Sequence, residues 1–171
     1  VVTGMHLSPE FGLTYKTIED DDFEISEKIE ILLSSDTSIG VTKAIGLATI
    51  SFSETLDRLK PDFIMILGDR FELLAVAQVA LVSRIPIVHI AGGDVTEGAF
   101  DEAIRHSITK MSQLHFVTNK ESEKRVHQLG EDPESIHLVG NPGLDHLNSL
   151  KLMGKNELEK SLRYSFKSKN I

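Results

Sequence analysis

The spacing of apolar residues changes along the chain, and each change marks an element. Residues 63–67 (FIMIL) are an unbroken apolar run between Pro61-Asp62 and Gly68-Asp69. That pattern predicts a strand buried on both faces, as in a parallel sheet. Phe71–Val82 is apolar and rich in Ala and Leu, which predicts about three turns of helix. Residues 85–90 (IPIVHI) are β-branched and predict the next strand. Together they form a β-loop-α-β unit, right-handed by the general rule for parallel crossovers. Upstream, Ala44, Leu47, Ala48, Ile50, Phe52, Leu56 and Leu59 recur with a helical period across residues 39–59, with Gly40 and Gly46 weakening the first half. Residues 23–33 alternate at Phe23, Ile25, Ile29, Ile31 and Leu33 and predict a strand, after an acidic turn at 19–22. Ser8-Pro9-Glu10 has the form of a helix start, and Val1-Val2-Thr3 that of a strand's tail. Downstream the pattern predicts a helix at 101–114, a strand at 115–118, a helix at 120–129 stopped by Gly130, a strand at 136–139 and a short helix at 144–150.

Strands and helices alternate throughout, so the expected fold is α/β: a doubly wound, Rossmann-like parallel sheet. The domain is expected to span residues 1–150. Residues 151–169 carry six Lys/Arg against two Glu, and 151–171, with a helix at Lys155–Leu162, reads as a connection leaving that domain.

Composition narrows the function. The chain of 171 residues is 40% hydrophobic, enough for one domain with its own core. A net charge of −8 argues against sequence-independent nucleic-acid binding, which needs clustered Lys and Arg. With no cysteine, disulfides, thiolate metal sites and a Cys nucleophile are excluded. No apolar run approaches ~20 residues, so no membrane span is expected; nor is there the pattern of a signal peptide, and a cytoplasmic location is expected. Neither G-x-G-x-x-G nor G-x-x-x-x-G-K-[ST] occurs, so an NAD or ATP reading lacks its main support.

In open parallel sheets, ligands bind outside the carboxyl ends of the strands. Two polar loops fall there: Gly68-Asp69-Arg70, and residues 91–99 with Gly92, Gly93 and Asp94. Asp69 is either a helix N-cap or a site carboxylate. Arg70 has the fork to hold a carboxylate or phosphate bidentately, or is a solvated ion-pair residue. Asp94 is either the cap of a Gly-rich turn or an acid of the site. Asp101 with Arg105, and Glu102 with His106, stand four apart on one helix and predict two ion pairs of little energetic value. His89, on an apolar strand, reads more as a hydrogen-bonded core residue than as a catalyst. The common feature outweighs these separate readings: Asp69, Asp94, Asp101 and Glu102 all fall at one rim. Crowded carboxylates repel one another, which permits one acid and one base at neutral pH. On the residues alone, this is an acid/base α/β enzyme domain.

At these motifs the chain resembles the N-terminal domain of the hydrolysing UDP-N-acetylglucosamine 2-epimerases. The matching strings are Val2-Thr3-Gly4-Met5-His6, Leu67-Gly68-Asp69-Arg70-Phe71-Glu72, His89-Ile90-x-Gly92-Gly93-Asp94, Asp101-Glu102-x-Ile104-Arg105-His106-Ser107-Ile108-Thr109-Lys110, and Gly140-Asn141-Pro142. The resemblance implies the N-terminal half of a two-domain fold of the glycosyltransferase B type, closing over a UDP-sugar. It implies elimination of UDP across C1–C2, then addition of water with inversion at C2, releasing an N-acetylmannosamine-type sugar and UDP. It implies catalytic roles for Asp69 and Asp101, with Asp94 and Glu102 beside them. It places Gly68, Arg70, His89, Gly92, Gly93, Arg105, His106 and Asn141 around the substrate. It implies no metal and no redox cofactor, and a homo-oligomer at full length. Relatives carry Glu or His where this chain has Ala91, which makes a UDP-2,4-diacetamido-2,4,6-trideoxy sugar an alternative substrate. The family's first strand should precede Val1 and its UDP-binding domain follow Ile171, so this segment alone is expected to bind weakly and turn over nothing. A non-hydrolysing 2-epimerase, a nucleotide-sugar-binding module without chemistry and a glycosyltransferase domain remain the competing readings.

Overall fold

The computed structural model describes residues 1–167; residues 168–171, with the end of the expected connection, lie outside the described residues. Every strand pairing is parallel. β1 (Val2–Thr3) pairs with β2 (Lys28–Ile29). β3 (Ile64–Leu67), β4 (Ile87–Ile90), β5 (Leu114–Val117) and β6 (Ile136–Leu138) form a four-stranded sheet in that order. The α/β expectation with a parallel sheet holds. Helices join the strands: α1 (Tyr15–Asp20), α2 (Ser38–Leu59), α3 (Phe71–Val82), α4 (Asp101–Met111) and α5 (Lys120–Gln128).

Local chemistry sets most of the boundaries. Thr37 caps α2, its hydroxyl accepting from the Gly40 amide at 3.1 Å. Gly40 is a packing requirement as well as a weak helix former: a Cβ there would lie 2.7 Å from the Ser35 carbonyl. Asn119 caps α5 by accepting from the Ser122 amide at 2.9 Å. The core joins Phe52 and Leu56 of α2, Ala75 to Ala80 of α3, Ile66 and Ile87 of the sheet, and Ile104 and Ile108 of α4.

Three expectations are corrected. Of the alternating stretch 23–33 only Lys28–Ile29 pairs as a strand, because its one neighbour, β1, offers two residues; Ile29 and Ile31 are buried while Phe23 is exposed. Ser8-Pro9 starts only a 3₁₀ turn, Pro9–Phe11, closed by Gly12 at φ 83°. β3 is not buried on both faces: Ile66 is buried, but Met65 is 55% and Leu67 61% exposed, so the face that carries Met65 and Leu67 is uncovered.

The chain divides into two compact units, Val1–Gly140 and Asn141–Ile171. The second holds α6 (Pro142–Ser149) and α7 (Lys155–Leu162). Among the described residues no helix is long and apolar enough to cross a membrane.

Candidate active site

The loop after β3 opens at Gly68, whose φ of 79° suits glycine and whose missing side chain leaves open space. Asp69 follows. It does not cap α3, whose N-cap is Arg70. Its carboxylate instead accepts from Arg105 Nη2 of α4, thirty-six residues on. Arg105 is the more buried partner, with side-chain exposures of 9% for Arg105 and 20% for Asp69. Its guanidinium also donates to the Asp94 carbonyl at 2.7 Å and to Thr96 Oγ1 at 3.0 Å. One side chain thus ties the loops after β3 and β4 together. The expected Asp101–Arg105 pair is not formed; the tertiary partner takes the arginine.

Asp101 has no hydrogen-bond or ionic partner among the described residues, and it is only half-buried. It stands one helical turn before Arg105, about 5–6 Å away between Cβ atoms. One carboxylate is thus held by the buried guanidinium, and a second, Asp101, stands one turn before it on the same helix without a partner among the described residues. Asp94 is occupied differently: its Oδ1 accepts from Thr118 Oγ1 at 2.6 Å, from Ser122 Oγ and from Asn119 Nδ2 at 3.4 Å. It fastens the loop to the start of α5. Glu102 makes the expected local contact, 3.7 Å from His106 Nε2.

The loop after β4 is packed inward. Gly93, at φ 79°, is required because a Cβ would meet the Ser122 carbonyl at 2.5 Å, and Arg125 donates to its carbonyl. At Gly92 a Cβ would press on His89 and Thr109, both at 3.0 Å. Ala91 holds φ 62°, a left-handed conformation strained for a residue with a side chain.

His89, expected among the substrate contacts, is fully buried. Its Nε2 lies 2.9 Å from the Gly68 carbonyl, which can only accept, so Nε2 carries the proton. Nδ1 faces Thr109 Oγ1 at 3.1 Å. Burial pushes the imidazole pKa down to about 4; the Gly68 bond opposes this, while His115, Arg105 and His106 add to it. His89 is thus a neutral strut beneath Gly68, and Gly92 and Gly93 are buried positions whose missing side chains make room for their neighbours. His115 neighbours His89 across the β4–β5 ladder. Burial lowers its pKa too, against the pull of Glu131 at 3.4 Å.

Arg70 turns the other way. Its Nε donates to Glu72 Oε1 at 2.7 Å and its Nη2 approaches Met5 Sδ at 3.0 Å. It lines a groove of about 700 Å³ at the carboxyl ends of β1, β2 and β3, with Met5, Phe11, Ser34, Ser35 and Phe71. None of Asp69, Asp94, Asp101 or Glu102 lines that groove, so the acidic rim and the groove are separate features of one loop's two sides. Asn141 lies in the second unit, where its Oδ1 accepts from the Gly143 amide at 2.9 Å. Thr96, Thr109, Thr118, Ser122 and Arg125 are the residues the sequence reading missed. Only Ser122 had a local signal, three residues after the Asn119 cap. Among the described residues no three His, Asp or Glu side chains stand together as a metal site.

Comparisons with known proteins agree with this architecture. A family model described as UDP-N-acetylglucosamine 2-epimerase matches residues 1–171. The chain is 48% identical over 162 residues to a Campylobacter jejuni GDP/UDP-N,N'-diacetylbacillosamine 2-epimerase (hydrolyzing), covering 95% of this chain and 42% of that protein. It is 39% identical over 165 residues to the Legionella pneumophila UDP-N,N'-diacetylbacillosamine 2-epimerase (hydrolyzing), covering 96% of this chain and 43% of that protein. The crystal structure of the Neisseria meningitidis UDP-GlcNAc 2-epimerase bound to UDP-GlcNAc superposes with a TM-score of 0.72 at 18% identity, over 88% of this chain and 42% of that one. The chain therefore spans about two-fifths of the length of the proteins it matches.

Proposed function

This chain belongs to the UDP-N-acetylglucosamine 2-epimerase family, and from that premise we propose that it is the acid/base half of a hydrolysing nucleotide-sugar 2-epimerase. Its substrate is a UDP-linked 2-acetamido sugar, with the 2,4-diacetamido-2,4,6-trideoxy form preferred over UDP-GlcNAc. Two relatives named for the diacetamido substrate support that preference, as does Ala91, a small residue at the lip of the loop.

The observation that carries the reading is the pair of carboxylates about one buried arginine: Asp69, held by Arg105, and Asp101, one turn away and free. The reaction needs a base to take the C2 proton as the C1–O bond to UDP breaks. It then needs water to add at C1 while a proton returns to the opposite face of C2. Arg105 holds the Asp69 carboxylate in place, and no neighbouring donor restrains Asp101. The two are the groups for those proton transfers. Asp94, with its Oδ1 taken by three donors, orders the loop. Arg70 meets the anionic leaving group. The remaining UDP contacts and Asn141's role belong to the complete protein, and this segment alone binds weakly and does not turn over.

Proton NMR of the complete protein with each UDP-sugar tests this. Free epimerised sugar plus UDP, faster from the diacetamido substrate, is the expected result. An intact UDP-linked epimer would overturn the hydrolytic step. No reaction with either would leave a binding module.

A further inference from the structure

Glu72 lies in the first turn of α3, two residues after Arg70. A glutamate there satisfies the helix dipole from solvent. Glu72 instead turns inward and is buried, its side chain 7% exposed against 48% for Arg70. Oε1 takes the Arg70 Nε at 2.7 Å, while Oε2 is buried with no partner. The end of β1 closes over it: a Cβ at Gly4 would lie 2.9 Å from Oε1. A half-satisfied buried carboxylate weakens a fold compared with an apolar residue of its shape. Packing therefore gives no reason for a glutamate at this position. What its charge does is fix a guanidinium. Nε is bound to Glu72 and Nη2 rests on Met5, while Nη1 has no partner among the described residues. The free edge of Arg70 is thus aimed, on a rigid support, at the groove it lines.

We infer that Glu72 is a positioning residue that presents Arg70 to the diphosphate of the substrate, an inference that rests on the nucleotide-sugar reading above. It assigns the anionic end of the substrate to the groove side of the loop and the reacting carbon to the Asp69 side.

The test is a double-mutant cycle in the complete protein, with Glu72→Leu, Arg70→Ala and the two combined, read by steady-state kinetics and thermal unfolding. Glu72→Leu is expected to raise KM roughly tenfold with kcat within about threefold, and Tm is not expected to fall. Glu72→Gln, which keeps a neutral acceptor for Nε, is expected to lie between wild type and Glu72→Leu. In the Arg70→Ala background, Glu72→Leu is expected to change KM by less than about twofold. Additive effects on KM, or a lower Tm with KM unchanged, would overturn the positioning role. If the complete protein turns over no UDP-sugar, the functional reading fails; the same cycle read as Kd for UDP by calorimetry then decides Arg70 and Glu72 separately. Coupled losses of affinity would uphold the pair, and uncoupled or absent UDP binding would overturn it.

Discussion

Asp69 and Arg70 are neighbours in the chain, and each is one half of a carboxylate–guanidinium pair built the opposite way round. In the first pair the arginine is the more buried member, 9% exposed against 20% for the carboxylate; in the second the carboxylate is, 7% exposed against 48% for the arginine. The buried member is the support in both, and the exposed member is the tool. One loop therefore presents a negative and a positive group to its two sides. The pairs differ also in reach. Arg70–Glu72 closes across one residue, whereas Arg105–Asp69 joins the end of β3 to α4. The first can form as α3 forms; the second exists only when the sheet has assembled. The long-range pair should therefore govern stability and chemistry together, and the local pair binding alone.

The largest effects should test the acidic side. In the complete protein, Asp69→Asn and Asp101→Asn should each cut turnover by ~10²–10⁴-fold while changing UDP affinity little; near-normal turnover in either variant removes that residue from the chemistry. Arg105→Met should destabilise the chain by about 3 kcal/mol in urea unfolding, because it strips Asp69, the Asp94 carbonyl and Thr96 of their shared donor. Removing the local pair as a whole, Arg70→Ala with Glu72→Leu, should cost less than about 0.5 kcal/mol in the same measurement, because no buried carboxylate is then left without a partner. Equal losses would end the distinction between the pairs.

His89 sits under the carbonyl of Gly68, at the root of both. Its folded-state pKa of about 4 lies below the ordinary 6.5, so between those values the unfolded chain binds the extra proton. The stability from keeping His89 neutral is present above pH 6.5 and lost as pH falls through about 4, on the order of 3 kcal/mol in all. Thermal melts of His89→Gln should show a flatter pH dependence in that window than wild type; an unchanged slope would assign acid sensitivity elsewhere. A small effect of opposite sign is expected at Ala91, where Gly removes left-handed strain and should add up to about 1 kcal/mol. A lower Tm for Ala91→Gly would mean that the Ala91 methyl group contributes packing there.

Much of the scaffold was legible because short-range physics writes it. The helices α2, α3 and α4 and strands β3 to β6 stand within a few residues of their apolar periods, and the strand-end loops hold the candidate acids. What failed were judgements that depend on neighbours. Residues 23–33 alternate well, yet only two of them found a partner strand. The run 63–67 looked buried on both faces, yet the face that carries Met65 and Leu67 is uncovered. Asp101 and Arg105 were correctly spaced for a helical ion pair, but Asp69 offers Arg105 a better-buried contact. Glu72 stands in the first turn of α3, and nothing local shows that the end of β1 folds over it.

The sequence by itself determined the alternating α/β order, the positions of Asp69, Asp94 and Asp101 at strand ends, and the family motifs. These follow from period, capping and loop chemistry over a few residues. Only the tertiary structure decided which charges are supports and which are exposed: Arg105 and Glu72 buried, Asp69 and Arg70 presented, Asp94 tied to α5 and His89 kept neutral. Burial and partner choice depend on groups far apart in the chain, and the energy of a charge is set by what surrounds it.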